Sequence, residues 1–538
     1  MSVRYLAGST ADRFWPNDCS TRFVYEALLI GGSPLPGVLG GEPLEVKETH
    51  ISVVVLGAER VLKLKKPVDY GFLDYTTLEK RKAACEAEVR LNSRLCARLY
   101  LGVVPIQSSA TAPVSDYGVL MRRLPANRML DALVRSGAVT EAMVDRVVSK
   151  LAEFHRAADR SPEINAYGSP ETIARNWEEN FRQTEPYVGR TIEPEAFHQI
   201  RRWVQERLAA DRPLFERRIE EGHVVDGHGD VRCESICLDG EVCFFDCIEF
   251  NERFRCGDVA AEIAFLAMDL NSLGRPDLAH FATERYVHHS GDAGLWRVLP
   301  LYLCYRAWVR GKVMSFRLSQ QGIADADKTE AQRRATNFFD LARRYAVTPA
   351  PAMVVVCGRS GTGKTTIARG LAHESGFRLL STDAVRLELL GPAKGPSRFG
   401  EGAYRKEVTE HVYRTLTERA DTLLAEGSGA VLDGTFLEQP QREALAALAR
   451  QRAVRVNWIE CVLEPQAVRN RLASRAASGD GNSDATWQIY ARQRMQEPAA
   501  GQAWCRLDTG APVAGCVRQA STWLREKGRV SGVQLEKA

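Results

Sequence analysis

Lys364 follows a glycine pair at a spacing that suits a phosphate chain. Residues 353–366 read MVVVCGRSGTGKTT, an apolar run followed by Gly358, four residues, Gly363, Lys364 and Thr365. This is G-x-x-x-x-G-K-T between an expected buried strand over 353–357 and a helix start, the context in which the pattern has meaning. Gly358, Gly361 and Gly363 let the backbone wrap closely around phosphate oxygens. The amides of Ser360, Thr362, Thr365 and Thr366, with the helix N-terminus, supply positive potential. Lys364 reaches the β/γ-phosphates and Thr365 holds Mg²⁺. The segment therefore predicts ATP as a ligand, with Mg²⁺ as its counter-ion.

Other candidate groups follow at strand ends. Beyond residue 352, β and α segments alternate, with strands expected over 353–357, 377–381, 430–432, 454–462 and 505–507, as a doubly wound parallel sheet requires. Open sheets of this kind bind ligands at the strands' carboxyl ends. The second strand delivers Asp383 and Arg386 in STDAVR, and the third delivers Asp433 in VLDGT. Asp433 is expected to be a Walker-B-like carboxylate near Mg²⁺. Asp383 is placed like the acceptor-binding carboxylate of small kinases, orienting the attacking hydroxyl, with Arg386 binding an anion. A helix N-cap is the structural alternative for Asp383. The segment EPQAVRNRLASR with the turn SGDGNSD resembles the lid of gluconate- and adenylate-kinase-like enzymes, which swings arginines over the transferring phosphate. Arg475, at the helix end, is the candidate. Leu507-Asp508-Thr509 falls where such kinases pass close to the adenine.

The N-terminal part carries a second set. HISVVVL over 50–56 and RVLKLK over 60–65 read as a strand hairpin, with Val61, Lys63 and Lys65 on one face. A helix follows over 77–99, then strands over 102–106 and 117–122. This order resembles the small lobe of protein-kinase-like phosphotransferases, where a strand lysine holds the α/β-phosphates and a helix glutamate pairs with it. Lys63 is the lysine, with Glu86 or Glu88 as partner and Glu88 the choice. Further on, DGHGDVRCESICLDGEVCFFDCIEF resembles the aminoglycoside-phosphotransferase family, pairing HGD with FFDCIEF. The resemblance implies that Asp230 orients or deprotonates an acceptor hydroxyl and that Asp246 binds Mg²⁺. Two positions depart from that family's HGDLHxxN: Arg232 replaces the second His, and Ser235 replaces the Asn that contributes to metal binding. Asp258 falls at a position that is structural in such folds.

The segments KLKKPVDYGFLDYTTLEKR, LYLGVVPI and FDCIEFN resemble a branch in which an aminoglycoside-phosphotransferase-like domain is fused to a P-loop kinase. That implies an α+β protein-kinase-like domain over 1–345, with its small lobe at about 45–125, and an α/β P-loop kinase domain with a parallel sheet over 346–538. RRYAVTPAPA, over 343–352, is the linker. Helices over 140–157 and 302–318 are packing helices, and GGSPLPGVLGGEP over 31–43 reads as a loop.

Composition bounds the rest. At 538 residues the chain is too long for one core. A net charge of +4 argues against a basic nucleic-acid coat. No long apolar window or signal-peptide core is found, so a cytoplasmic protein without a membrane partner is expected. Thirteen cysteines, mostly within apolar patterns, favour buried free thiols over a disulfide framework, and the spacing of Cys233, Cys237, Cys243 and Cys247 is not that of zinc knuckles. Three functions remain open. The first is ATP-dependent phosphorylation of a hydroxyl on a small metabolite, with the N-terminal domain binding a second nucleotide or substrate. The second is a polynucleotide 5′-hydroxyl kinase, since S-x-D-x-x-R followed by D-G-T also resembles that class, though little basic or aromatic platform accompanies it. The third is an ATP-driven switch with a degenerate kinase-like binding module.

Overall fold

The structure, a computed structural model, describes residues 29–30, 33–41, 44–49, 51–71, 73–320, 324–346, 352–391, 405–478, 486–496 and 504–530. The chain forms two compact units. The first comprises Met1–Glu179, Leu208–Leu266 and His288–Asp292; the second comprises Asn180–Arg207, Ala267–Val287 and Ala293–Ala538.

In the first unit, alternating residues build a seven-stranded antiparallel sheet. Its strands are β1 (Leu29–Ile30), β2 (Ser33–Pro34), β3 (Glu45–Glu48), β4 (Ser52–Leu56), β5 (Arg60–Lys65), β6 (Tyr100–Gln107) and β7 (Asp116–Arg122), in the order β2-β1-β6-β7-β5-β4-β3. Period-two alternation sends Leu62 and Leu64 of β5 into one apolar cluster with Val53 and Val55. It sends Val61, Lys63 and Lys65 to the opposite face, where the helix Leu78–Cys96 packs. Thr77 caps that helix, accepting from the Lys80 N–H. Its buried stripe mixes Cys85, Leu91 and Leu95 with Arg81, Glu88 and Asn92. Buried polar groups need partners. Arg81 finds Asp116 at 2.9 Å, and Asn92 accepts from the Cys247 N–H at 2.9 Å.

Two expectations need correction here. The stretch 31–43 is more than a loop: Ser33–Pro34 pairs with β1, and Leu35–Val38 forms one helical turn. Leu35 and Leu39 are fully buried, so apolar burial overrides the local glycine and proline content. Cys243, expected to be a free core thiol, is joined to Cys96 by a disulfide. Sequence spacing hid the pair because 147 residues separate the two cysteines.

Four short strands follow: β8 (Val224–Asp226), β9 (Ile236–Asp239), β10 (Glu241–Phe244) and β11 (Cys256–Asp258). β9 and β10 form the expected hairpin turned at Asp239-Gly240, with Gly240 at φ 69°. β8 pairs with β11. Asp258 is scaffold: Arg218 bonds it at 2.6 and 2.8 Å and reaches Asp292 as well, all three side chains being buried.

In the second unit, the helices Leu295–Phe316 and Asp325–Tyr345 enclose Trp308, whose ring meets Phe181 and Phe339 edge-on at 4.9 and 5.2 Å. A five-stranded parallel sheet holds β12 (Ala352–Cys357), β13 (Arg378–Ser381), β14 (Ala430–Asp433), β15 (Arg455–Val462) and β16 (Trp504–Asp508), in the order β13-β14-β12-β15-β16. Apolar clusters cover both faces, as near-continuous runs such as MVVVC require. Register pairs Asp433 with Val356 on one side and Ser381 on the other. The carboxyl ends of these three strands therefore lie side by side. The linker's central residues and the glycine-rich turn after residue 478 lie outside the described residues.

Two measurements check this fold. Removing the crosslink with Cys96→Ser should cost about 2–4 kcal/mol in chemical unfolding, because the open chain regains the entropy of a long loop. The second concerns His373, which is buried, hydrogen-bonded to Tyr345 at 3.0 Å, and held at a pKa of about 3 by burial and then by the charge of Arg344. Below about pH 6.5 the unfolded chain binds a proton here that the folded chain refuses until about pH 3, so stability falls with pH across that window. The slope is about 1.4 kcal/mol per pH unit, and His373→Gln should flatten it in urea titrations at successive pH values.

Candidate functional site

Two sites are built independently, one in each unit. In the second unit, Gly358 leaves β12 at φ 128°, and its N–H donates to the Thr435 carbonyl at 3.2 Å. Gly361 and Gly363 also adopt positive φ, at 78° and 87°. A Cβ on Gly358 would stand 2.5 Å from the Cys461 carbonyl oxygen, so the loop needs glycine there for space as well as for conformation. Thr362 closes the loop on itself, donating to the Arg359 carbonyl at 2.8 Å, while its own carbonyl accepts from the Thr509 hydroxyl at 2.6 Å. Among the described residues, no group accepts from the N–H of Gly361, Thr362 or Gly363. Successive unpaired amides before a helix N-terminus are suited to an anion.

Lys364 begins the helix Lys364–Ser375 and folds across the loop, its Nζ donating to the Arg359 carbonyl at 2.9 Å. Thr365 donates to the Asp433 carboxylate at 2.7 Å, and the Ser381 hydroxyl approaches the same oxygen at 3.5 Å. Burial pushes the Asp433 carboxyl up, and the Lys364 ammonium with the Thr365 hydroxyl opposes that shift. A buried carboxylate beside a hydroxyl is a donor set suited to a hard cation, which would restore the charged form. Asp383 lies in the first turn of the helix Thr382–Leu390; the cap is Ser381, which accepts from the Asp383 N–H at 3.2 Å. The Asp383 carboxylate accepts from Arg386 at 2.7 Å. Asp383 and Arg386 are thus bonded to each other.

Arg475 lies half-buried near the end of the helix Pro465–Ser478. Arg471, one turn earlier, comes nearer the loop, donating to the Thr509 carbonyl at 2.7 Å. Sequence reasoning missed Gln493, which accepts from the Ser360 N–H at 2.7 Å and donates to its hydroxyl at 3.0 Å. It also missed Arg359 lying over the Tyr490 ring at 4.1 Å, and Tyr413, whose hydroxyl meets Thr435 at 3.0 Å. No motif marks Gln493, Tyr490 or Tyr413, which come from far along the chain, whereas Arg359 belongs to the loop itself.

The first unit's site is organised by shared carboxylates. Lys63 donates to Glu88 at 2.9 Å and to Asp246 at 2.6 Å, while Glu86 faces Lys82 on the exposed side of the helix. Lys65, fully buried, joins Glu88 and Glu249, and the Tyr75 hydroxyl donates to Glu249 at 2.7 Å. Burial pulls Lys63 down, but Asp246, Glu88 and Glu249 outweigh it, so its pKa rises and it stays charged. Lys63, against the cost of burial, holds Asp246 far below the usual carboxylate range. Asp246 adopts φ 65°, a left-handed backbone conformation that few residues other than glycine, asparagine and aspartate take up and that clusters at functional sites.

Asp230 lies on a loop anchored by Glu262, which accepts from the His228 and Gly229 N–H groups and pairs with His155 at 2.7 Å. The bonds from His155, Gly229 and their neighbours overcome burial and hold Glu262 at a pKa of about 2. Arg232 grips Asp230 with contacts of 2.9, 2.9 and 2.6 Å and pairs with Glu234. Ser235 is buried. The roles of Lys65, Glu249 and Tyr75 were absent from the sequence reading; their only signal is that Lys65 shares a strand face with Lys63.

Residues 353–498 match the family described as AAA domain. The uncharacterized protein Rv2004c of Mycobacterium tuberculosis is 35% identical over 481 residues, covering 89% of this chain and 94% of that protein. The shikimate kinase of Moorella thermoacetica is 42% identical over 86 residues, 16% of this chain and 49% of the enzyme. Among solved structures, the choline/ethanolamine kinase family protein from Mesorhizobium loti aligns with 58% of this chain and 95% of its own, at 14% identity and a TM-score of 0.36.

The loop geometry gives a direct test. Gly358→Ala should cost about 1–3 kcal/mol in denaturant unfolding, from its positive φ and the Cys461 carbonyl, and should weaken ATP binding with it.

Proposed function

We propose that this chain, which belongs to the same family as Rv2004c of Mycobacterium tuberculosis, is an ATP-dependent phosphotransferase acting on a hydroxyl of a small metabolite. The observation that carries the reading is the convergence at three strand ends: Lys364 folded over the loop, Thr365 bonded to buried Asp433, and Asp383 paired with Arg386 one strand away. The match of 353–498 to the AAA domain family and the likeness to shikimate kinase support a P-loop kinase in this part of the chain.

In this reading the unpaired amides of Gly361, Thr362 and Gly363, with the helix start over 364–366, hold the phosphates. Gly358 and Ser360 shape the loop with their own amides bonded to Thr435 and Gln493. Lys364 neutralises the phosphate charge, and Thr365 with Asp433 would hold Mg²⁺. The cation supplies charge neutralisation on the phosphate chain. Asp383 accepts the acceptor's hydroxyl proton or orients it, and Arg386 exchanges its carboxylate partner for an anionic group on the substrate. Arg475 contributes charge from the lid helix. Transfer of this kind is positioning plus electrostatics, which fits a site made of fixed backbone donors.

The N-terminal part, over 1–345 with a small lobe at about 45–125, would hold a second Mg-nucleotide through Lys63, Glu88 and Asp246, with Asp230 facing an acceptor. The P-loop part would occupy 346–538. Among the described residues no helix is long and apolar enough to cross a membrane, and a cytoplasmic setting goes with ATP as co-substrate.

The test is ATP consumption across a panel of small hydroxylated compounds. Asp383→Asn should lower transfer by about 10²-fold or more while ATP binding is retained. Phosphate appearing on 5′-hydroxyl oligonucleotides instead, with steep salt dependence, would favour the polynucleotide reading. Hydrolysis with no phosphorylated product would favour the switch.

A further inference from the structure

We propose that Arg232 is a phosphate-binding residue of the N-terminal site: its guanidinium, held between Asp230 and Glu234, takes the terminal phosphate of a bound nucleoside triphosphate. The proposal rests on the reading of Lys63, Glu88 and Asp246 as a nucleotide site.

Placement comes first. Arg232 follows Asp230 by two residues, and its side chain is only 11% exposed. The loop that carries it is fastened to the segment that carries Asp246. The Ile248 N–H donates to the His228 carbonyl at 3.0 Å, the Phe245 N–H donates to the Ser235 carbonyl at 3.0 Å, and the His228 ring meets the Phe245 carbonyl at 3.1 Å. These bonds set the Arg232 loop beside the Asp246 segment, so a phosphate held at Lys63 and Asp246 lies toward the Arg232 guanidinium.

Charge pairing gives the second argument. Each cation here is shared by two carboxylates: Lys63 by Glu88 and Asp246, Lys65 by Glu88 and Glu249, Arg232 by Asp230 and Glu234. A cation kept this far from solvent needs an anion beside it at all times. When the ligand is itself an anion, carboxylates serve as stand-ins that hold the cation in position until phosphate oxygens replace them. Arginine suits that exchange, because its planar fork bonds carboxylate and phosphate in the same two-pronged way and never loses its proton. Asp230 and Glu234 lie two residues to either side of Arg232 on its own loop, so these bonds aim the guanidinium rather than tie one element to another.

The experiment uses the full chain carrying Lys364→Ala, which silences the P-loop, titrated with Mg·ATP and with Mg·ADP by calorimetry. Arg232→Ala should weaken ATP by about tenfold or more and leave ADP within about twofold, since the diphosphate has no terminal group for Arg232 to hold. Arg232→Lys, which keeps the charge without the fork, should fall between, and it serves alone if the alanine variant does not fold. Equal losses for ATP and ADP would make Arg232 a scaffold and overturn the proposal. Tighter ATP binding in either variant would make the Asp230 pairing an inhibitory latch and overturn it equally. If the chain with Arg232 intact binds neither nucleotide, the nucleotide-site reading itself fails and takes this proposal with it.

Discussion

Backbone amides can face a phosphate only if the chain turns back on itself without side chains in the way, and that constraint governs the whole second unit. Gly358 meets it where β12 ends, because the Cys461 carbonyl leaves no room for a Cβ. Cys461 is on β15, the neighbour of β12, so sheet register decides how tightly the loop can curl. From the other side, β14 brings Asp433 level with Val356 and so within reach of Thr365. The apolar strands matter to function in this sense: a slip of one residue would turn Asp433 away from the loop. Thr509, just past the end of β16, completes the enclosure by bonding the Thr362 carbonyl.

The first unit solves a different problem, keeping cations within a protein interior without losing their charge. Lys63 and Lys65 share a strand face, so both point at the helix Leu78–Cys96, and Glu88 answers both. The same helix then fixes the segment near Asp246 through Asn92 and through the disulfide from Cys96. The sheet, the helix and the β10 segment therefore cannot shift independently without separating charges that burial makes costly to separate.

Legibility in the sequence followed the range of the interaction. The P-loop, the strand ends that carry Asp383 and Asp433, and the Asp239-Gly240 hairpin were readable because each signal is local: a spacing, an alternation, a turn dipeptide. Lys63 was readable because a lysine interrupts an inward face. Glu88 was harder to separate from Glu86, since only the helix's final rotation decides which one turns inward. Lys65 with Glu249, Gln493 with Ser360 and Cys96 with Cys243 were not readable at all. Their partners lie 184, 133 and 147 residues apart, and nothing in the flanking residues announces the encounter. The stretch 31–43 failed for the opposite reason, since its local glycine and proline signal was overridden by the burial of Leu35 and Leu39.

The central claim is that the loop after β12 grips a triphosphate. A crystal structure of the chain with Mg²⁺ and a non-hydrolysable ATP analogue tests it most directly. Phosphate oxygens should be bonded to the N–H groups of Gly361, Thr362 and Gly363, with Lys364 released from the Arg359 carbonyl to meet them. An analogue bound elsewhere, with Lys364 still on that carbonyl and the amides unengaged, would contradict it.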